Sequence, residues 1–186
     1  MKRCPSIILS ALVAAWLIAT PAQAATQVRV ATTPAARLCA LSVPTTDTAV
    51  RPKATGFRNE GKTNAFVICA FDSPPGQPDT DPFEVPWDLQ AVELNFVSID
   101  GKPHGFDCTA VNSWDDGGAG FSAPMQYIAK KVQLTGSPFT TIRWNAADFG
   151  ATTTIPTSGI FSVTCLLPPG AAIQFGLATA REDIGN

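Results

Sequence analysis

The chain has 186 residues, of which 45% are hydrophobic and 15% are charged. Its 13 Lys and Arg residues against 15 Asp and Glu residues give a formal net charge of −2 at pH 7, and the charges form no basic stripe. Nucleic-acid binding is therefore not expected, because proteins that bind phosphate backbones need a concentrated positive surface.

The first 24 residues predict a secretory signal peptide. Lys2 and Arg3 precede an apolar run over residues 7–20, and Ala22 and Ala24 supply the small residues required before a cleavage site. The apolar run is short for a membrane span, which needs about 20 residues. We expect cleavage after Ala24 and export of the remainder, either to the periplasm or to the medium.

Residues 25–186 would then form a single domain. This mature chain has 162 residues, a length that can bury a sizeable core, and its net charge becomes −4 with the loss of Lys2 and Arg3. It contains no second apolar segment long enough to span a bilayer, so no membrane span is expected after cleavage.

Four cysteines remain in the expected mature chain: Cys39, Cys69, Cys108 and Cys165. An even number in an exported protein predicts two disulfides, for which three pairings are possible. We favour Cys39–Cys69 with Cys108–Cys165, because sequential pairs form no interlocked loops. A zinc site is not favoured, because the chain has no CxxC or HxxxH spacing and His104 is its only histidine.

From residue 27 onward the sequence predicts β-strands. Short runs rich in Val, Ile, Phe and Thr alternate with turn residues. The predicted strands are residues 27–31, 37–43, 64–71, 91–99, 105–111, 125–134, 139–144, 159–167 and 171–180. Together with two disulfides and Pro/Gly turns, they indicate an all-β fold, an antiparallel β-sandwich that is jelly-roll-like, with a barrel as the alternative.

Side-chain patterns add detail to this scheme. Residues 64–71 are apolar on both faces, which predicts a central strand buried on both sides. Within residues 91–99, Val92, Leu94 and Phe96 share one face. In the last strand, Ile173, Phe175 and Leu177 are predicted to share one face as well. The adjacent Lys130 and Lys131 fit an edge strand that is protected from pairing with another chain.

Turn residues predict the connections. Asp-Gly within residues 99–103 indicates a hairpin, because its left-handed dihedrals suit the twist of paired strands. Pro-Gly within residues 167–171 suits a type II turn and predicts a hairpin between the last two strands. Residues 144–150 could form one short turn of helix.

The least regular region is residues 72–88, where five prolines fall within 17 residues. Asp79, Asp81 and Glu84 offer hard oxygen ligands of the kind that Ca²⁺ prefers, but the EF-hand pattern is absent. We therefore favour a solvated loop, expect no cofactor other than this candidate calcium ion, and expect the folded state to gain little from calcium.

Tryptophans beside polar residues form a second candidate site. Trp87 with Asp88 and Trp114 with Asp115 could bind a ligand, because aromatic rings stack on sugars while carboxylates accept hydrogen bonds from hydroxyls. Tryptophans in small β-domains mostly pack the core, however, and we favour packing for these residues and for Trp144.

Catalytic patterns are missing from the sequence. A Ser-His-Asp site needs a histidine base, and His104 lies beside a predicted turn without a Gly-x-Ser-x-Gly motif elsewhere in the chain. Paired cysteines would leave no thiol nucleophile. A glycosidase would need two facing carboxylates, for example Asp81 or Glu84 with Asp115. We therefore expect no enzymatic activity.

Three segments resemble a group of small exported bacterial proteins of unknown function. They are GFRNEGKTNAFVICAF (56–71), GFDCTAV (105–111) and FSVTCLLPPGAAIQFGLATARED (161–183). The group shares a Gly-x-x-Asn segment leading into a Val-x-Cys strand, a Cys strand in mid-chain, and a Cys-x-Leu-Pro-Pro ending whose last strand closes on Glu. The matching residues here are Gly56, Asn59, Cys69, Cys108, Cys165, Pro168, Pro169 and Glu182. The resemblance implies a disulfide-bridged β-sandwich with no assigned activity. Ala70, where the group usually has proline, and the acidic loop depart from it.

These observations lead to one functional hypothesis and two alternatives. We expect an exported, non-enzymatic binding or structural module of the cell envelope or extracellular space, with a protein or a glycan as partner. The alternatives are a carbohydrate-active hydrolase and a calcium-dependent glycan-binding module, both of which would use the loop carboxylates.

Overall fold

The structure is a computed structural model that describes residues 26–42, 49–71, 88–113, 125–136, 139–156 and 160–183. The predicted signal peptide and most of the acidic loop lie outside these ranges, so both stay predictions. Among the described residues, no helix is long and apolar enough to cross a membrane.

Strands dominate the described part of the chain. In chain order they are β1 (Thr26–Pro34), β2 (Cys39–Leu41), β3 (Val50–Lys53), β4 (Gly56–Asn59), β5 (Ala65–Phe71), β6 (Asp88–Ser98), β7 (His104–Ser113), β8 (Gln126–Leu134), β9 (Thr140–Asn145), β10 (Ile160–Leu167) and β11 (Ala171–Asp183). A four-residue helix α1 (Ala35–Leu38) follows β1, and a 3-10 helix (Ala146–Phe149) follows β9 where a short helical turn was expected.

The strands form two antiparallel sheets. Sheet A has six strands in the order β3-β4-β11-β6-β9, with β1 also paired to β11. Sheet B has five strands in the order β2-β5-β10-β7-β8. The predicted antiparallel β-sandwich is therefore confirmed, and β8, which carries the two lysines, lies at an edge of sheet B as expected.

The core lies between the two sheets. Val92, Leu94 and Phe96 of β6 are buried together, as their alternation predicts. The Phe96 ring of sheet A meets the Phe106 ring of sheet B edge-on, with centroids 5.3 Å apart. Trp144 is also fully buried, and its indole N–H donates to the Ile128 carbonyl at 3.0 Å, which confirms the packing role for this tryptophan.

Both disulfides lie within sheet B and have the favoured pairing. Cys39 of β2 is directly opposite Cys69 of β5, and Cys108 of β7 is directly opposite Cys165 of β10. All four residues are buried on the core side. The bridges therefore tie neighbouring strands of one sheet, and the cysteines are not available as zinc ligands or nucleophiles.

Both predicted hairpins are wrong. The turn after β6 leads into β7 of the other sheet, since the paired neighbours of β6 are β11 and β9. The Pro-Gly turn likewise leads from β10 of sheet B to β11 of sheet A. The turn chemistry itself is as expected, because Gly101 and Gly170 have φ of 73° and 82°. Local sequence specifies a tight turn, whereas the partner of the next strand depends on the whole sheet.

Two predicted faces are also wrong. In β11 the register shifts between Ile173 and Phe175, so Ile173 is buried while Phe175 and Leu177 are only partly buried on the outer face of sheet A. In β5 the apolar outer positions are not covered, and Phe66 is 55% exposed.

Short elements account for the remaining differences. The predicted strand over residues 37–43 begins with the last two residues of α1, whose Leu38 packs into the core. Strands β3 and β4 were not predicted, because each has four residues and they carry Arg51, Lys53 and Arg58 among them.

Candidate functional site

Only one residue of the predicted ligand sites lies in the described part of the chain. Asp88 is the first residue of β6, is exposed, and is paired across the sheet with Arg181. The remaining candidates lie outside the described residues and stay predictions: Trp87, Trp114 and Asp115 for a ligand, and Asp79, Asp81 and Glu84 for calcium. Among the described residues, no group of three or more His, Cys, Asp or Glu side chains could hold a metal ion.

An open cleft of about 410 Å³ lies at one end of the sandwich, where three connections meet. Its lining comes from residues 58–61, 99–100 and 169–170. Backbone hydrogen bonds join these connections, since Ile99 N donates to Gly170 O at 2.8 Å and Gly170 N donates to Asn59 O at 2.9 Å. Ligand sites are usually concave, so this cleft is a candidate site.

Asp100 and His104 form a close pair beside this cleft. Asp100 Oδ1 lies 2.8 Å from His104 Nε2 and accepts hydrogen bonds from Ser98 Oγ at 2.9 Å and Lys102 N at 3.0 Å. The His104 contact, followed by the Lys102 N–H, holds the pKa of the Asp100 carboxyl well below its usual range. Because Ser98 donates to Asp100 rather than to His104, these side chains do not form a nucleophile–base chain.

The Asp100–His104 pair packs against the neighbouring Pro-Gly turn. A Cβ placed on Gly170 would lie 2.5 Å from Asp100 Oδ2 and 3.0 Å from His104 Cε1, so only glycine allows this approach. We interpret the pair as a contact that holds together the two turns, each of which connects a strand of one sheet to a strand of the other.

On the opposite side of the cleft, two cations surround one carboxylate. Lys53 Nζ lies 2.6 and 2.7 Å from the two carboxylate oxygens of Glu60, and Arg58 Nε lies 3.3 Å from the same group. The hydrogen bond from Lys53 is the main cause that lowers the pKa of Glu60. Glu60 therefore engages both cations, and the three side chains together carry a single net positive charge.

Asn59 also holds segments together at this end of the sandwich. Its fully buried amide donates to the carbonyls of Thr63 at 2.9 Å and Leu167 at 2.8 Å and accepts from Gly61 N at 2.9 Å. The polar groups around the cleft are thus engaged in holding connections together, and the cleft is a structural feature in our interpretation.

A different surface is formed by the outward side chains of β5, β10, β7 and β8, which we call the outer B face. Strand pairing places these residues in three rows across the sheet. The rows are Ala70, Ser162, Val111 and Tyr127; then Ile68, Thr164, Thr109 and Ala129; then Phe66 and Leu166, continued by Asp107 and Lys131. Strand spacing makes these rows about 14 Å wide and the three rows together about 13 Å deep.

The outer B face is almost uncharged. Its one acid and one base, Asp107 and Lys131, lie opposite each other at one corner with 3.2 Å between Oδ1 and Nζ. Phe66 and Tyr127 are 55% and 63% exposed and lie at opposite ends of a diagonal of roughly 19 Å. Between them, Thr109 and Thr164 bring hydroxyl groups to the centre.

This arrangement can bind an extended ligand rather than enclose a small one. Exposed rings offer surfaces for stacking, while hydroxyls can donate and accept hydrogen bonds. The sequence contained a signal for this surface that the prediction missed. Once Cys69, Cys108 and Cys165 are known to face the core, the residues directly before and after each of them must face outward, because successive side chains of a strand alternate between the two faces.

No protein-family model matches the chain, and no curated protein matches it. Among solved structures, the chain is similar to a family 11 carbohydrate-binding module from Clostridium thermocellum in complex with a beta-1,3-1,4-mixed-linked tetrasaccharide, with 10% identity over 86% of each chain and a TM-score of 0.33. It is also similar to the family 11 module of a cellulosomal cellulase of the same organism, with 10% identity over 88% of this chain and 87% of that chain and a TM-score of 0.32. A CBM4 structure gives 11% identity over 66% of this chain and 79% of that chain, with a TM-score of 0.25. We draw no functional conclusion from similarity at these TM-scores.

Proposed function

We propose that the chain is an exported, non-enzymatic binding domain that holds an extended, uncharged polysaccharide on its outer B face, at the cell envelope or outside the cell. The observation that carries the proposal is the near absence of charge together with two exposed rings, Phe66 and Tyr127, at the ends of one diagonal.

Charge supports a neutral ligand. A polyanion such as a nucleic acid or an acidic polysaccharide gains its affinity from several basic side chains, and a polycation from several acids. The outer B face offers Lys131 and Asp107 only, and these two already pair with each other.

The position of the rings supports a polysaccharide over a protein. Hot spots of protein–protein interfaces cluster near the centre of the contact, where aromatic anchors fill pockets. Here the centre holds Thr109 and Thr164, and the rings lie at the ends. A sugar chain laid along the diagonal would stack on both rings and place its hydroxyls against the threonines.

The disulfides support export. All four cysteines outside the predicted signal peptide are paired, and such bridges form and persist in oxidising compartments outside the cytoplasm. A hydrolase and a calcium-dependent module, the two alternatives from the sequence, would use carboxylates outside the described residues, and no observation among the described residues favours either.

The test is affinity electrophoresis of the exported, oxidised protein in gels that contain neutral polysaccharides, namely xylan, mixed-linkage β-glucan and glucomannan, with a cellulose sedimentation assay beside them. We expect at least one of them to retard or sediment the protein. Phe66→Ala and Tyr127→Ala should each weaken binding about tenfold, since each removes a ring that the bound sugar would cover.

Phe139→Ala is the matched control, because Phe139 is 60% exposed but lies just before β9 of sheet A and is not one of the side chains of the outer B face. Its binding should equal that of the wild type, and an alginate gel should not retard any variant. The proposal would be overturned if no neutral polysaccharide bound. It would also be overturned if Phe139→Ala lost as much affinity as Phe66→Ala and Tyr127→Ala.

A further inference from the structure

Strand β1 lies along the outside of sheet A with one backbone edge unpaired. It pairs with β11 over nine residues, from Thr26 opposite Asp183 to Pro34 opposite Phe175. β4 pairs with the same side of β11 but only at Ala172 and Ile173. In the part of the chain that the structure describes, β11 is the only strand that pairs with β1, so its other edge presents free N–H and C=O groups.

The other sheet edges are protected against strand addition. β8 carries Lys130 and Lys131, and its Ile128 and Gln133 carbonyls accept hydrogen bonds from side chains of the opposite sheet. In β9 the Arg143 carbonyl accepts from Lys130 Nζ at 2.7 Å. Charges, proline and short length are the other common protections: β3 reads Val-Arg-Pro-Lys and β2 has three residues.

β1 lacks these protections. Its sequence, TQVRVATTP, has proline only at the last position and a single charge, Arg29, which forms an ion pair with Glu182 of β11. Val28 and Val30 are 55% and 58% exposed, on the outer face of sheet A. A long, unprotected, β-branched edge is the type of edge to which another strand adds.

We propose that β1 pairs in antiparallel fashion with β1 of a second copy of the chain, about a twofold axis at Val30. This register uses all nine residues. It places Val30 opposite Val30, Val28 opposite Thr32 and Arg29 opposite Ala31, so no like charges face each other. An axis at Arg29 would oppose two arginines directly, which is destabilising.

The result is an isologous dimer in which the two copies of sheet A become one continuous sheet. Both copies of the outer B face stay accessible, because sheet B does not take part in the contact between the two copies of sheet A. The proposal stands on the edge geometry of sheet A and is independent of the polysaccharide proposal.

The test is sedimentation velocity of the exported, oxidised protein from about 1 μM to about 1 mM, a range that spans weak to moderate association. The wild type should form dimers. Val30→Lys should raise the dimer dissociation constant at least about tenfold, since it opposes two like charges on the axis. Thr32→Lys is the matched control, because it adds the same charge on the same exposed face of β1 but lies opposite Val28 of the second copy and Leu177 of β11.

A mixture completes the test. Val30→Lys and Val30→Glu should each dimerise at least about tenfold more weakly than the wild type, and mixing them should restore dimerisation, because opposite charges then meet on the axis. Thermal unfolding of each variant checks that the exposed substitutions leave the fold intact. A wild-type monomer at all concentrations, or equal effects of Thr32→Lys and Val30→Lys, would overturn the proposal.

Discussion

Asn59 shows how one buried amide connects segments that are distant in sequence. Its side chain joins the loop after β4, through Gly61 and Thr63, to Leu167 at the end of β10. Its main-chain carbonyl accepts from Gly170 in the turn that follows. The asparagine in the Gly-x-x-Asn segment is therefore explained by hydrogen-bonding geometry and does not require a ligand.

Asn59→Ala should lower the free energy of unfolding by about 3 kcal/mol, because it leaves three main-chain groups near the buried end of the sandwich without partners. Urea unfolding measures the change. Asn95→Ala is the control, since Asn95 is also buried but, among the described residues, its side chain donates one hydrogen bond, to Thr141 Oγ1 at 3.1 Å, and its loss should cost about 1 kcal/mol. Equal losses for the two variants would contradict the special role of Asn59.

Asp100 predicts a pH dependence of stability. Its folded pKa lies below the ordinary value of 3.8, so the folded state binds the proton less tightly than the unfolded state does. The stabilisation is therefore complete above about pH 5 and is lost as the pH falls through 3.8 towards the lower folded value. Asp100→Asn should flatten this acid loss in urea unfolding at a series of pH values.

Asp107→Asn is the control for the acid series, because this exposed carboxylate pairs with Lys131 on the sheet surface. Its acid loss should match that of the wild type. An Asp100→Asn profile as steep as the wild-type profile would show that Asp100 does not contribute to the acid loss.

Helix α1 packs closely against β11 because the facing residue of that strand, Gly176, has no side chain. A Cβ on Gly176 of β11 would overlap Leu38 Cδ2 of α1 and lie 2.9 Å from the Phe71 ring. Gly176→Ala should therefore cost about 1–3 kcal/mol in unfolding free energy through overpacking. Gly105→Ala, next to the flexible end of the Gln133 side chain, should change it by less than about 0.5 kcal/mol.

Alternation predicted most strands well, because a strand with one buried face repeats every second residue. Val92, Leu94 and Phe96 are an example. The same rule failed in β11, since the register shift at Gln174 changes which residues face the core. The turns at Gly101 and Gly170 were recognised from local chemistry, but long-range pairing decided that each connects two sheets.

The candidate site was harder to predict than the fold. Residues 64–71 are apolar on both faces, and sequence alone cannot distinguish a strand covered on both sides from a strand with an exposed binding face. Phe66 became visible as a surface residue only when its neighbours were known. The acidic and tryptophan-bearing loops were candidate sites because of their residue composition, and composition does not tell which side chains lie close together in the fold.

For the whole molecule, calcium should have no effect on stability. A ligand that binds only the native state at about 100 times its dissociation constant adds roughly 2.7 kcal/mol, which appears as a rise of several degrees in Tm. We expect the melting curves in EDTA and in millimolar calcium to overlay. A rise in Tm that Asp81→Ala removes would instead establish the acidic loop as a calcium site.

Both covalent links lie in one layer, and this has a consequence for how the molecule opens. Strands β2 and β5, and strands β7 and β10, cannot separate while their bridges are intact, whereas no disulfide joins strands of sheet A. We expect amide hydrogen exchange to be slowest in β5, β7 and β10 and faster throughout sheet A, with the contrast reduced by a reductant. The surface that carries Phe66 and Tyr127 would then keep its spacing through fluctuations that loosen the opposite layer.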